Sequence, residues 1–307
     1  MTGGLKSVPD QGDDERLSWK HWLEDRVAAA LISFSRILPY RQRIGLIGWL
    51  GAHVIGPVAG MRSRVRANLA LIFPDMPADQ VRHLTRAVPA NLGRALAETF
   101  AGEDFFAHAR KSTIGGTGLA ALDAARDARR PVVLVTAHLG NYNAGRVVLR
   151  DRGYQVAALY MPMHNPAFNK RYVAAMAEIA APVLPRNRAG LGAMVKHLRN
   201  GGMIGLVADH YMSHGPLVDF LGQPARTSTA PAELALKHNA LLVPLYGIRA
   251  DDKLHFRIIV EEPIPHTDPL TMTRALNASL GAMVRAHMDQ WMWTHRRWKN
   301  NACGGLD

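Results

Sequence analysis

Cysteine is nearly missing from this 307-residue sequence: Cys303, four residues before the C-terminus, is the only one. That excludes a disulfide framework and a multi-cysteine metal site, and it fits a reducing compartment. Aromatic residues are sparse at 7%, and no helix-turn-helix, zinc-finger or RNA-recognition signature occurs, so the marks of a nucleic-acid binder are lacking. No Gly-x-Ser-x-Gly elbow points to a serine hydrolase. No P-loop or dinucleotide fingerprint points to a nucleotide-dependent enzyme. The first sixteen residues are polar and mixed in charge, without the apolar run of a signal peptide. Internal repeats and low-complexity tracts are absent as well.

What is present is an apolar fraction of 48%, enough for a full core, and a formal net charge of +12. Such a charge favours an anionic partner: nucleic acid, an acidic protein or an anionic membrane surface. Residues 44–61 contain no Asp, Glu, Lys or Arg. That length is near the lower limit of a membrane span, but the stretch holds several glycines, His53 and Pro57. Arg41 and Arg43 precede it, and Arg62, Arg64 and Arg66 follow. An in-plane or half-buried helical hairpin, with arginines against lipid phosphates, is the favoured reading over a true span.

The pattern changes near residue 112. Before it, apolar residues recur at helical spacing over about 19–38, 41–60, 62–72 and 78–98, and the Phe73–Pro77 run separates the last two. After it, strands alternate with helices. Short apolar runs at 131–137, 155–160, 181–184, 203–208, 241–248 and 255–260 read as strands, the last pairing antiparallel with its predecessor. Helices fall at 143–152, 168–179, 189–199, 230–238 and 271–290. The chain therefore divides into a polar tail (1–16), a helical membrane-associating region (17–111), an α/β core (112–300) with a mixed, mostly parallel sheet flanked by helices, and a tail (301–307).

In such a sheet, ligands bind beyond the carboxyl ends of the strands. Three histidine-bearing loops lie there: His138–Asn143, Met161–Pro166 and Asp209–Tyr211. His138 follows an apolar strand and precedes a helix, where an imidazole can serve as a base near neutrality or as a plain turn residue. Gly140 permits the tight turn. Asn141 can cap the helix, whose free N–H groups favour a developing negative charge. Asp209 is either a cleft carboxylate or a strand-end turn cap. Arg226 is either a phosphate ligand or a solvated loop charge. Trp293 and Trp298 read as buried anchors of a C-terminal segment, with Arg296 and Arg297 as phosphate or carrier contacts. One literal His-x4-acid spacing exists, His214 to Asp219, but it lies in a loop.

The run His138-Leu139-Gly140-Asn141-Tyr142-Asn143 resembles the His-x4-Asp/Glu block of the lysophospholipid acyltransferase superfamily, in the form found in lipid A lauroyl and myristoyl acyltransferases. Further blocks resemble that family in the same order: Arg66-Ala67-Asn68-Leu69 with Phe73-Pro74-Asp75-Met76, Leu159-Tyr160-Met161-Pro162 with Asn165-Pro166, Val207-Ala208-Asp209-His210 with Ala225-Arg226-Thr227, and Trp291 to Lys299. The resemblance implies an O-acyltransferase with no cofactor and no metal. A fatty acyl chain would pass directly from acyl carrier protein or acyl coenzyme A to a hydroxyl of a membrane lipid, at the cytoplasmic face of a bacterial inner membrane, by a peripheral or monotopic enzyme. Acidic carriers suit the positive chain, and nucleic acid is not an expected partner. His138 would be the general base and residue 143 its orienting partner. Tyr160, His210, Gly140, Asn141, Arg226, Arg296 and Arg297 would line the substrate site.

The chain departs from the family where Asn143 stands in place of Asp or Glu, Met161 in place of Arg, and Tyr211 in place of a second acid. Three readings of Asn143 stay open: a differently assisted natural enzyme, replacement of the acid by Asp209, or an engineered inactivating change. A catalytically silent lipid-binding protein is the non-enzyme alternative. The lost cation at 161 and acid at 211 leave room for a lyso-phospholipid or an amino-acid-containing lyso-lipid as acceptor instead of a lipid A precursor.

Overall fold

The computed structural model describes residues 19–35 and 37–299; both tails and Cys303 lie outside them. The chain opens with helices α1 (Trp19–Ser35) and α2 (Tyr40–Leu50), a π-helical turn (Gly51–Ile55), then α3 (Gly56–Val58), α4 (Met61–Ile72), α5 (Ala78–Thr99) and α6 (Glu103–Ala109). The helix expected over 41–60 is thus interrupted by a π-helical turn, and Gly60 at φ 64° ends it. From there the path bends by 85° into α4. Among the described residues no single helix is long and apolar enough to cross a membrane; only this bent pair passes on length and composition together.

The rest is strand β1 (Thr113–Gly115), α7 (Leu119–Asp127), β2 (Val132–Thr136), α8 (Tyr142–Asp151), β3 (Val156–Tyr160), α9 (Pro166–Ile179), β4 (Val183–Pro185), α10 (Arg188–Arg199) and β5 (Met203–Val207). A hairpin of β6 (Leu217–Phe220) and β7 (Gln223–Arg226) follows, then α11 (Ala230–Lys237), β8 (Leu241–Arg249), β9 (Phe256–Val260) and α12 (Pro269–Ala286). Seven strands form one sheet in the order β1-β9-β8-β2-β5-β3-β4. All neighbours are parallel except β8 and β9, the antiparallel pair expected from the sequence. The small β1, the β6–β7 hairpin and helices α6 and α7 are additions that the sequence pattern did not reveal. The last helix ends at Ala286, not at 290.

Strand β2 is central and apolar on both sides, as a doubly covered parallel strand must be. Val132 and Leu134 enter the core beneath α6, α7, α8 and α9. Val133 and Val135 alternate into the opposite core beneath α10, α11 and α12. A third core joins α4 and α5 to the C-terminal segment through Leu69, Val88, Trp291, Trp293 and Trp298. These tryptophans are buried, as anticipated. From β2 the chain crosses to β3 and β4 on one side of it, and from β5 it crosses back to β8 and β9 on the other, so the carboxyl end of β2 lies at a topological switch point, where this type of sheet opens a crevice.

Candidate active site

Ala137 and His138 continue the chain past the end of β2. Leu139 bridges antiparallel to Trp291, and His138 C=O accepts from Met292 N–H at 3.0 Å. The chain then reverses at Gly140, with φ 60°. A Cβ at this position would stand 2.1 Å from Gly247 O, so only glycine can make the turn. Asn141 caps α8: its Oδ1 accepts from Asn143 N–H at 2.9 Å. Asn91 of α5 clamps the turn from outside, donating from Nδ2 to Gly140 O (3.2 Å) and Gln290 O (3.1 Å).

The partner of His138 is Asp209, two residues past β5. His138 Nδ1 stands 2.8 Å from Asp209 Oδ1. Asp209 Oδ2 accepts from His138 N–H at 3.0 Å and from Trp291 Nε1–H at 2.9 Å. Three donors thus converge on one buried carboxylate. Burial alone would raise its pKa, but the His138 charge and these hydrogen bonds hold it well below the usual carboxylate range. Burial alone would lower His138; the Asp209 charge and hydrogen bond outweigh it and leave His138 raised. With Nδ1–H donated to the carboxylate, the lone pair of the imidazole is on Nε2. Nε2 has no hydrogen-bond partner among the described residues, and the ring edge reaches solvent.

This arrangement corrects the expectation for Asn143. Its side chain does not orient His138. Nδ2 donates to Thr99 Oγ1 at 3.3 Å and Oδ1 accepts from Arg146 Nη1 at 3.1 Å. Residue 143 is buried in the first turn of α8 and turned toward α5 and α9. The hydrogen bond to the imidazole expected of it is made by Asp209.

Three imidazoles form a column over the site. His138 stacks on His210 (4.2 Å, 8°), and His210 stacks on His295 (4.1 Å, 17°). Tyr142 meets His138 edge-on at 6.1 Å. His210 lies between the other two rings, with a ring on each face. Desolvation, and then the neighbouring His138 charge, pushes it down to about 4. His295 is also pushed down, by burial first, and its Nε2 accepts from Tyr211 N–H at 2.9 Å, which keeps it neutral. Nitrogen and oxygen ligand atoms of His138, Asp209 and His210 lie within 4.8 Å of one another. Yet the two rings are stacked face to face, so an ion in the plane of one would lie out of the plane of the other. The set does not converge as a metal cage does.

Several residues expected at the substrate site make hydrogen bonds within the protein. Arg297 is buried, donates to Thr227 Oγ1 at 2.6 Å and to Arg226 O, and lies over the Phe220 ring. Burial lowers it to about 10. Arg226 Nη1 donates to Gly215 O at 3.0 Å. Asn141 is buried; its Nδ2 donates to Glu98 Oε2 at 2.6 Å. Gly140 acts through its backbone alone. Arg296 is exposed, and Tyr160 is half-buried at the end of β3, on the same sheet edge as His138. His214 and Asp219 share no hydrogen bond or ion pair among the described residues, and Asp219 lies in β6 and not in a loop.

Sequence reasoning missed the buried pair beneath the turn. Arg249 Nη1 and Nη2 donate to Glu98 Oε1 and Oε2, each at 2.6 Å, with both side chains essentially inaccessible. Arg249 Nε donates to Asn91 Oδ1 at 2.9 Å. The available signal was a charge directly after each of two apolar stretches, Ala95–Ala97 and Leu241–Ile248.

A mixed α/β fold with a histidine–carboxylate pair at the carboxyl edge of its sheet is the frame of a group-transfer enzyme. The chain belongs to the bacterial lipid A biosynthesis acyltransferase family, whose sequence model matches residues 11–300. It is similar to the lipid A biosynthesis lauroyltransferase of Escherichia coli (strain K12), 26% identical over 299 residues that cover 93% of each chain. A lipid A biosynthesis acyltransferase of Haemophilus influenzae is 25% identical over 292 residues, 92% of this chain and 90% of the relative. A phosphatidylinositol mannoside acyltransferase of Mycobacterium tuberculosis (strain CDC 1551 / Oshkosh) is 26% identical over 247 residues, 78% of each.

Proposed function

We propose that this acyltransferase moves a fatty acyl chain from the thioester of acyl carrier protein or coenzyme A to a hydroxyl of a membrane lipid, with His138 as general base. The observation that carries the reading is the 2.8 Å His138–Asp209 contact, which leaves Nε2 free at the mouth of the site. Nε2 takes the proton of the acceptor hydroxyl as its oxygen bonds to the thioester carbonyl carbon. The tetrahedral oxyanion forms near the amino end of α8, whose dipole favours negative charge. Its collapse breaks the C–S bond, and the thiolate leaves with the proton from His138. Asp209 stabilises the imidazolium between the two proton transfers.

The names of the relatives span lipid A and a phosphatidylinositol mannoside, which supports a lipid acceptor bearing sugar hydroxyls. A membrane seat is supported by exposed Trp49, Val54, Ile55 and Val58 on the bent α2–α3 segment and by exposed Trp19 and Trp22 on α1. This is the in-plane arrangement, at the cytoplasmic face of the bacterial inner membrane, where acyl thioesters are available. The test is transfer of labelled acyl chains from acyl carrier protein and acyl coenzyme A into lipid A precursors and lyso-lipids. The chain is expected to be active on at least one pair, and His138→Ala to abolish that activity. Equal activity of His138→Ala would refute the assignment. Inactivity of both on every acceptor, with lipid binding intact, would favour the silent lipid-binding alternative.

A further inference from the structure

A second cavity, of roughly 500 Å³, opens beside the site. One face of α5 forms its floor, with Arg82, Arg86 and Arg94 at helical spacing and Ala87 and Ala90 between them. Lys253, just beyond β8, stands on the facing wall. None of these four cations forms an ion pair among the described residues, and only two acids, Asp79 and Asp289, line the same space. Arg94 is the deepest. Its Nε is buried without a hydrogen-bond partner. Its guanidinium lies against Gly48 of α2, where a Cβ would stand 2.5 Å from Arg94 Nε, Cζ and Nη2. Desolvation, and then the nearby Arg249, lower its pKa. Converging cations in a partly dry cavity are left short of negative charge, an arrangement suited to an anionic oxygen-rich group.

The neighbourhood identifies the source of that anion. Ala52 of the π-helical turn lines the cavity, and Val54 and Ile55 of the same turn are exposed apolar residues. The cationic space therefore meets the apolar face directly. A lipid with its phosphate among the arginines can lay its chains along α2 and α3. A free phosphate would use only the first half of this surface.

We infer that this cavity binds the phosphate of an anionic membrane phospholipid, as a seating site distinct from the acyl-transfer site. The inference rests on the membrane-facing reading above but not on the chemistry of His138, so a binding assay tests it whether or not transfer is detected. Asn91 lies in the wall of the cavity and also holds Gly140 O, so a phospholipid seated here would orient the His138 site toward the bilayer.

The experiment is co-sedimentation of the full chain with vesicles of phosphatidylcholine, with and without phosphatidylglycerol. Arg82→Gln/Arg86→Gln removes two exposed cations and is expected to leave the thermal melt unchanged. Its partition onto phosphatidylglycerol vesicles should fall about twenty-five-fold, as about fivefold per cation near an anionic surface. Lys253→Gln, on the facing wall, should cost about fivefold by the same reasoning. The control Arg130→Gln/Lys237→Gln removes equal charge at the opposite edge of the sheet and should lose far less. Equal loss in the control, or no dependence on phosphatidylglycerol, would overturn the site. Calorimetric titration separates the two phosphate sources. Short-chain phosphatidylglycerol should bind wild type more tightly than inorganic phosphate at matched ionic strength, and equal or tighter binding of inorganic phosphate would overturn the lipid assignment.

Discussion

Asp209→Asn is expected to lower kcat/KM by about four orders of magnitude, the scale seen when the acid of a histidine–carboxylate pair becomes an amide. The carboxylate accepts three N–H groups: two on Oδ2, from His138 N and Trp291 Nε1, and one on Oδ1, from His138 Nδ1. Asparagine has one acceptor oxygen. If that oxygen keeps the two fixed N–H groups, its NH2 faces Nδ1 and the imidazole proton moves to Nε2, where the base should be. If it turns to Nδ1, two buried N–H groups lose their acceptor, at about 1–3 kcal/mol each. The first orientation is therefore preferred, and the wrong tautomer results. An independent route gives a similar size. An imidazolium about 4 Å from a carboxylate gains about 4 kcal/mol at an effective dielectric near 20, or about a thousandfold in rate. The pH profile should move as well. Burial pushes His138 down and Asp209 outweighs it, so the acid limb of wild-type kcat/KM lies above the ordinary imidazole value. In the variant burial acts without that opposition, and the limb of any residual activity shifts to lower pH. The parallel variant Asn143→Asp should change the rate only a few-fold, because residue 143 faces Thr99 and Arg146 and not the base. Acyl-transfer rates across pH decide it. A near-wild-type Asp209→Asn together with a large gain in Asn143→Asp would refute the geometry.

Glu98→Gln leaves Arg249 charged and uncompensated in the core and should destabilise the fold by about 3–5 kcal/mol, read as a lower midpoint in denaturant unfolding; an unchanged midpoint would mean the pair is not buried as described. Gly140→Ala meets Gly247 O at 2.1 Å with φ at 60°, so the variant should lose activity and melt earlier, whereas Gly153→Ala, which also has positive φ but meets nothing, should show only the smaller backbone cost. His210→Ala removes the ring stacked on His138 and should reduce kcat up to about tenfold, the scale of one aromatic contact, with His210→Phe restoring most of it; an unchanged kcat in both would assign His210 to the surface alone.

What the sequence made legible, and what it did not, follows from the range of the signals. The strand–helix alternation after residue 112, the antiparallel last pair, the Asn141 cap and the buried tryptophans are local patterns or short apolar runs, and each appears in the structure. The helical region was legible by periodicity, but the π-helical interruption was not, since the glycines that break it also fit a helix packed closely on α5. Of the two candidate partners of His138, Asn143 and Asp209, the sequence could not choose, for a more basic reason. Residue 143 is near in sequence, and spacing on a strand–turn–helix unit says nothing of which way the first helical turn faces. Residue 209 is near in space because of strand register. Strands β2 and β5 pair so that Thr136 stands beside Val207, and the same offset carried two residues further puts His138 beside Asp209. Neighbouring parallel strands can thus deliver a base and its acid from chain positions 71 residues apart, each just past its own strand end. That adjacency is invisible in sequence order, because β3 and β4 come between β2 and β5 in the chain while β5 comes between β2 and β3 in the sheet. The Glu98–Arg249 pair obeys the same logic: an α5 carboxylate meets a β8 guanidinium through packing alone. In this fold the His138–Asp209 contact is a property of sheet order, so it forms with an amide at 143.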